Sequence, residues 1–237
     1  MTERSWDEAA VAENLRRIED RIAAACQRAG RRREEVTLLA VTKTVPPGPI
    51  NAAIDGGARQ IGENRVQELL RKEPELHLSG VEVHLIGHLQ TNKVRQVCGH
   101  VSMIQSVDSL HLAQAIEAAY AAREESIDVL LEVNVGREAS KSGVMAEELP
   151  ALLEGVQALR HLRVRGLMCI PPISDEEAQR RKYFSEIYKL FIDIKAKKLD
   201  NIRMEVLSMG MSADFEEAIL EGSTMVRIGT ALFGKRV

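Results

Sequence analysis

Short apolar runs alternate with longer amphipathic stretches along almost the whole chain. Runs of strand length occur at 37–43, 59–62, 82–87, 103–107, 128–135, 164–170, 204–209 and 225–229. Several, such as Leu38-Leu39-Ala40-Val41, are apolar at consecutive positions, which suits a parallel sheet covered by helices. Helical spacing is found between them, near 49–56, 64–78, 92–98, 109–124, 146–160, 175–199 and 213–221. Ahead of the first strand, residues from about 6 to 29 place Val11, Leu15, Ile18 and Ile22 on one helical face. Gly30 and Arg31-Arg32-Arg33 close that helix, and the arginines are read as solvated charges complementing its dipole. Ser174-Asp175-Glu176-Glu177 has capping-box spacing at the start of the longest helix.

Eight strands separated by crossovers predict an α/β fold, a single (β/α)8 TIM barrel, in roughly the usual 250 residues. A doubly wound sheet fits less well, because no glycine-rich dinucleotide fingerprint follows a strand. No Pro-, Gly- or Ser-rich linker divides the 237 residues, so one domain is expected over 1–237, with 1–30 as an extra N-terminal helix.

The composition, 45% hydrophobic and 28% charged, excludes a mainly disordered chain. A net charge of −3, with one Trp, three Tyr and four Phe, argues against nucleic-acid binding. The chain starts acidic, without the charged and apolar regions of a signal peptide. No stretch reaches the roughly 18 apolar residues needed to span a bilayer. A cytoplasmic protein with no membrane partner is expected. Cys26, Cys98 and Cys169 are too few and too scattered for a disulfide framework.

In a barrel of this kind, function sits at the C-terminal ends of the strands. That rule selects Lys43, Asn64, His88, Asn134, Ser212, Gly229 and Thr230. Low-dielectric walls would lower the pKa of Lys43 and free its amine to attack a carbonyl. Ser212 is placed at the entrance of a helix, and Arg227-Ile-Gly229-Thr230 adds a cation, a close backbone approach and a hydroxyl. The loops after strands seven and eight are the recurrent phosphate site of this fold. A phosphate ligand with a nucleophilic lysine suggests pyridoxal phosphate, or a sugar phosphate in an aldolase. His84 and His88 are four apart, but no third ligand pairs with them and no metal is expected. The segment from Gly136 to Gly143, with Lys141, lacks the glycine of a Walker loop and reads as a mobile connection. Cys169, in an apolar run, reads as inert core.

The stretches Leu39-Ala-Val-Thr-Lys43-Thr, Ile61-Gly-Glu-Asn64-Arg-Val-Gln-Glu, His84-Leu-Ile-Gly-His88-Leu-Gln and Glu138-Ala-Ser-Lys-Ser-Gly carry a family resemblance. So do Gly166-Leu-Met, Leu207-Ser-Met-Gly-Met-Ser-Ala-Asp-Phe and Val226-Arg-Ile-Gly-Thr-Ala-Leu-Phe-Gly. Over nearly its whole length the chain resembles the pyridoxal phosphate homeostasis proteins, the YggS/PROSC family. The resemblance implies a fold-type III barrel like the N-terminal domain of alanine racemase, with pyridoxal 5'-phosphate held by Lys43 as a Schiff base. It implies that Ser212, Gly229 and Thr230 hold the phosphate, and that Arg227 faces the pyridine nitrogen. Met211 and Asn64 would line the cofactor, with His88 as a further neighbour. Relatives often read Ser-Lys-Thr-Lys-Pro where this chain has Thr42-Lys43-Thr44-Val45-Pro46, so the second lysine is absent. Arg65 replaces a common tyrosine.

Two functions follow from different classes, a non-catalytic carrier that buffers or transfers the cofactor, and a racemase-like enzyme or aldolase. A two-base racemase needs an acid/base group opposite the lysine. Tyr120, Tyr183 and Tyr188 all fall in predicted helices, and no other strand-end base is evident. The chain ends seven residues after Thr230, which leaves no room for a second domain and suggests a monomer. The carrier is therefore expected, with apo-enzymes that use the cofactor as partners.

Overall fold

A computed structural model describes residues 7–138 and 141–234. The predicted helix start at residue 6, and Ala139 and Ser140 of the loop motif, lie outside the described residues. The eight strands form a closed barrel in which each pairs in parallel with its neighbours in chain order, β8 closing on β1. They are β1 (Thr37–Val41), β2 (Gln60–Glu63), β3 (Glu82–Leu85), β4 (Met103–Val107), β5 (Ile127–Glu132), β6 (Leu162–Met168), β7 (Ile202–Met211) and β8 (Met225–Ile228). The barrel expected from eight apolar runs is the observed architecture.

Helix α1 (Glu8–Arg28) starts at Asp7, whose carboxylate accepts from Ala10 N–H at 3.1 Å. Its apolar stripe, Val11, Leu15, Ile18 and Ile22, is buried as the spacing predicts. That stripe joins a core with Ile50 and Ala53 of α2 (Pro47–Asp55), Phe215 and Ile219 of α8 (Phe215–Leu220), and Leu232 of α9 (Thr230–Phe233). The arginines after α1 are not simply solvated charges. Arg31 donates to the Ser223 carbonyl at 2.7 Å, and Arg33 binds Glu19 and the Val36 carbonyl. They bolt α1 to the barrel.

The remaining helices are α3 (Val66–Lys72), α4 (Val94–Val97), α5 (Leu110–Ala121), α6 (Leu149–Val156) and α7 (Glu177–Lys197). The predicted helix at 64–78 stops at Lys72, because Pro74 lacks the N–H that would continue it, and a 3-10 turn follows. The capping box at Ser174 does not form. Helix α7 begins at Glu177 after Glu176, and the Ser174 hydroxyl accepts from Glu176 N–H in a local turn instead. Lys43 lies two residues beyond the predicted strand's true end, because β1 stops at Val41 and Thr44 turns the chain with φ 61°. Ser212 does not open α8, and that helix starts after Asp214.

Register is uninterrupted from β8 through β1 and β2 to β4, whereas every pairing from β4/β5 to β7/β8 contains a shift. At the β6/β7 shift, Gly166 has φ 155°, and a Cβ there would stand 1.7 Å from the Val206 carbonyl oxygen. No side chain fits without separating the strands. Gly166→Ala should therefore lose about 2–5 kcal/mol, from overpacking together with a strained backbone. Urea unfolding should show a lower midpoint at an unchanged slope.

Candidate functional site

Four consecutive strands, β7, β8, β1 and β2, bring most of the predicted residues to one arc of the barrel mouth. Lys43 follows β1 and is half-buried. Alternation turns Leu39 and Val41 inward while Ala40 faces the helices, and Lys43 lies in the turn that follows the strand. Asn64 follows β2, with its Oδ1 buried and unpartnered among the described residues.

Arg227 points inward from β8, with only 4% of its surface exposed. Its Nη1 donates to Ser208 Oγ at 2.7 Å and its Nη2 to the Cys169 carbonyl at 2.8 Å. The Ser208 hydroxyl donates to Gln105 Oε1 at 2.7 Å, and Gln105 Nε2 meets His84 Nδ1 at 2.8 Å. An accepting Nδ1 requires the His84 proton on Nε2, which lies 3.5 Å from Glu82 Oε2. Every donor in this chain thus points away from Arg227. Burial pulls the guanidinium below its ordinary pKa, and the charges of Glu132 and Asp214 work against that. The Cys169 thiol is buried and pushed up to about 12, as befits inert core, while its carbonyl serves Arg227.

The second feature is a cradle after β7 and β8. Ser212 Oγ accepts from Gly229 N–H at 3.2 Å and from Ala231 N–H at 3.1 Å. Ser212 is free for this because Asp214 holds the turn before α8, its carboxylate accepting from Met211 N–H at 2.6 Å. Thr230 opens α9 and is exposed beside it. With its oxygen taken by the Gly229 and Ala231 N–H groups, the Ser212 hydroxyl keeps its own proton to donate, and this donor-rich turn suits a phosphate oxygen.

Other predicted residues stand further round the mouth. His88 is exposed, with Nδ1 3.4 Å from Asp108, so it does not join His84. Lys141 pairs with Glu138 at 2.5 Å, in a loop that Asn134 ties down by donating to the Glu138 carbonyl at 2.9 Å. Val45, at the position where relatives often carry lysine, is fully buried. Tyr120 lies in α5, and Tyr183 and Tyr188 in α7, as predicted.

Sequence reading missed Glu132. It ends β5 facing the barrel interior, and its buried carboxyl makes no hydrogen bond among the described residues. Burial, and then the charge of Asp108, push its pKa up to about 7 against the pull of Arg227. A strand-end acid is thus present after all, and the only signal for it was a carboxylate closing the apolar run Val129-Leu130-Leu131.

A carboxyl whose folded pKa lies above its unfolded one holds an extra proton in the native state between the two values. Stability therefore falls as pH rises from the ordinary carboxylate range to about 7, then levels off. A displacement of that size corresponds to about 3 kcal/mol. Glu132→Gln should remove this loss, so the variant should gain about 2–3 kcal/mol relative to the parent between pH 4.5 and pH 8. Urea titrations of both proteins at the two pH values measure it.

Residues 7–237 match the alanine racemase N-terminal domain family. The pyridoxal phosphate homeostasis protein of Pseudomonas aeruginosa is 45% identical over 226 residues, covering 95% of this chain and 96% of that one. PipY of Synechococcus elongatus, solved with pyridoxal phosphate bound, superposes with a TM-score of 0.80 at 34% identity, over 92% of this chain and 100% of its own. Alanine racemase from Corynebacterium glutamicum shares the fold alone, with a TM-score of 0.74 and 19% identity over 98% of this chain and 63% of that one. With the barrel, the strand-end lysine and relatives aligned over nearly their full lengths, the chain belongs to the family of pyridoxal phosphate homeostasis proteins.

Proposed function

We propose that this protein binds pyridoxal phosphate on Lys43 and serves to hold and hand on the cofactor, without substantial turnover of amino acids. The observation that carries this reading is one arc of wall, β7-β8-β1-β2, shared by an amine, a hydroxyl-and-amide cradle and a buried guanidinium. Bound pyridoxal phosphate supplies an aldehyde that condenses reversibly with an amine, on a ring that withdraws electrons. Lys43 provides the amine. Ser212, Gly229 and Thr230 take the phosphate, and Met211 and Asn64 flank the ring. PipY, solved with pyridoxal phosphate bound, supports the choice of cofactor.

Arg227 faces the ring nitrogen in this reading and limits the chemistry. A guanidinium keeps its proton under all ordinary conditions, so Arg227 only donates. The chain Arg227–Ser208–Gln105–His84 holds it in that role. A nitrogen kept as an acceptor leaves the ring a weaker electron sink for chemistry at an amino-acid α-carbon. The protein acts as a monomer, and the recipients are apo-enzymes that use the same cofactor. Glu132 is the one observation favouring a racemase-like enzyme, since a positioned base is worth typically 10²–10⁴-fold.

Borohydride reduction of the loaded protein should leave the pyridoxyl group on Lys43, as read by peptide mass mapping. Recovery mainly on Lys141 would refute the assignment. In deuterated buffer, the loaded protein should exchange the α-protons of common amino acids no faster than free pyridoxal phosphate does. Rapid α-deuteration that disappears in both Lys43→Ala and Glu132→Gln would make it an enzyme, with Glu132 as its second base.

A further inference from the structure

Behind Lys43, on the helix side of the barrel wall, lies a buried charged cluster that the proposed cofactor site does not use. Glu63 ends β2 facing outward, and α3 contributes Glu68 and Lys72. The side chains of Glu63 and Lys72 are 1% and 4% exposed. Lys72 Nζ donates to Glu63 Oε1 at 2.7 Å, to Glu68 Oε1 at 2.7 Å and to the Thr42 carbonyl at 2.8 Å. All three ammonium hydrogens are thereby spent. The Thr42 hydroxyl donates to Glu63 Oε1 at 2.9 Å, and Asn64 N–H reaches Glu63 Oε2 at 3.2 Å. Glu68 Oε1 also accepts from Thr44 N–H at 2.5 Å.

The targets of these bonds are the informative part. The Thr42 carbonyl and the Thr44 N–H belong to the two peptide groups that flank the Lys43 Cα. Both are gripped by the same cluster, one by Lys72 and the other by Glu68. The grip also holds Thr44 in a left-handed conformation that a threonine does not favour. Burying the Glu63–Lys72 pair for stability alone would be a poor choice, because apolar side chains of similar volume serve as well or better. Burial pushes the Glu63 carboxyl up, and hydrogen bonds from Lys72 and Thr42 pull it back. What the charges supply that apolar groups cannot is direction.

We propose that Lys72, set between Glu63 and Glu68, is a positioning residue for Lys43, fixing the peptide groups on both sides of it so that the Lys43 amine is presented to the cofactor carbonyl. This rests on Lys43 being the attachment point. Fixing the Cα of a nucleophile removes freedom that attachment would otherwise have to spend, the usual gain from pre-organised reactants. The contacts that carry this role reach the backbone on either side of Lys43.

Lys72→Met would strand Glu63 as an unpaired buried charge and risks unfolding the protein. The test therefore uses Glu68→Ala, which leaves the Glu63–Lys72 pair intact and releases Thr44. Affinity for pyridoxal 5'-phosphate is measured by calorimetric titration in the parent, Glu68→Ala, Lys43→Ala and the double variant. Glu68→Ala should weaken binding about ten-fold when Lys43 is present and not at all in the Lys43→Ala background. Glu68→Gln, which keeps an oxygen acceptor there, should recover most of the loss. An equal loss in both backgrounds would reduce the cluster to a structural role, and no loss in either would remove the role altogether. If Lys43→Ala binds as tightly as the parent, the attachment itself is wrong and the positioning proposal falls with it.

Discussion

A guanidinium cut off from water must find its partners inside the protein, and Arg227 finds them across the barrel. Its bonds reach Ser208 on β7 and the carbonyl just beyond β6, and the chain continues through Gln105 on β4 to His84 on β3. Together with β8, five of the eight strands are thereby tied through the interior. Removing a partner would leave a buried charged donor short of an acceptor, which typically costs about 1–3 kcal/mol or more. The same bonds fix which way each dipole in the interior points. Stability of the barrel and the character of its mouth therefore rest on one permanently protonated side chain.

The wall that carries Lys43 is used on both faces. Strand alternation sends Leu39 and Val41 into the interior and Ala40 toward the helices, so adjacent residues serve opposite sides of a single backbone. Gly62 completes the arrangement, because a Cβ there would come within 2.4 Å of Leu39 Cδ2 and displace that interior side chain. Lining, support and closure all meet at the β1–β2 seam.

The features of the sequence that were legible are those with a local signature. Continuously apolar strands at regular spacing implied a parallel barrel, and the strand-end rule picked out Lys43, Ser212, Gly229 and Thr230 from position alone. Ser212 shows the limit of such reasoning. Its position predicts the entrance of a helix, yet Asp214 holds that turn and the Ser212 hydroxyl meets amides from the next loop. Glu132 went unread because its unusual proton affinity comes from burial and from Asp108 on another strand, neither of which leaves a local trace. Lys72 looks like any lysine in the last turn of a helix, and only the fold shows that Glu63, nine residues earlier, sits against it. Where a partner lies on a different element, one sequence carries no period to announce it.

The register shifts confined to β4–β8 separate two zones of the same strands. Val164 and Met168 are an even number of residues apart, yet Val164 packs among the helices while Met168 fills the interior. Met204 and Val206 are divided in the same way on β7. On β6 and β7 the inside–outside phase is reset partway up the strand, so the floor and the mouth there are independently phased. In the unshifted half, a residue chosen for the floor dictates which side chains can face the mouth two and four positions later. Across the resets on β6 and β7 that bond is broken, and the rim they carry is free to diversify while the base of the barrel stays as it is.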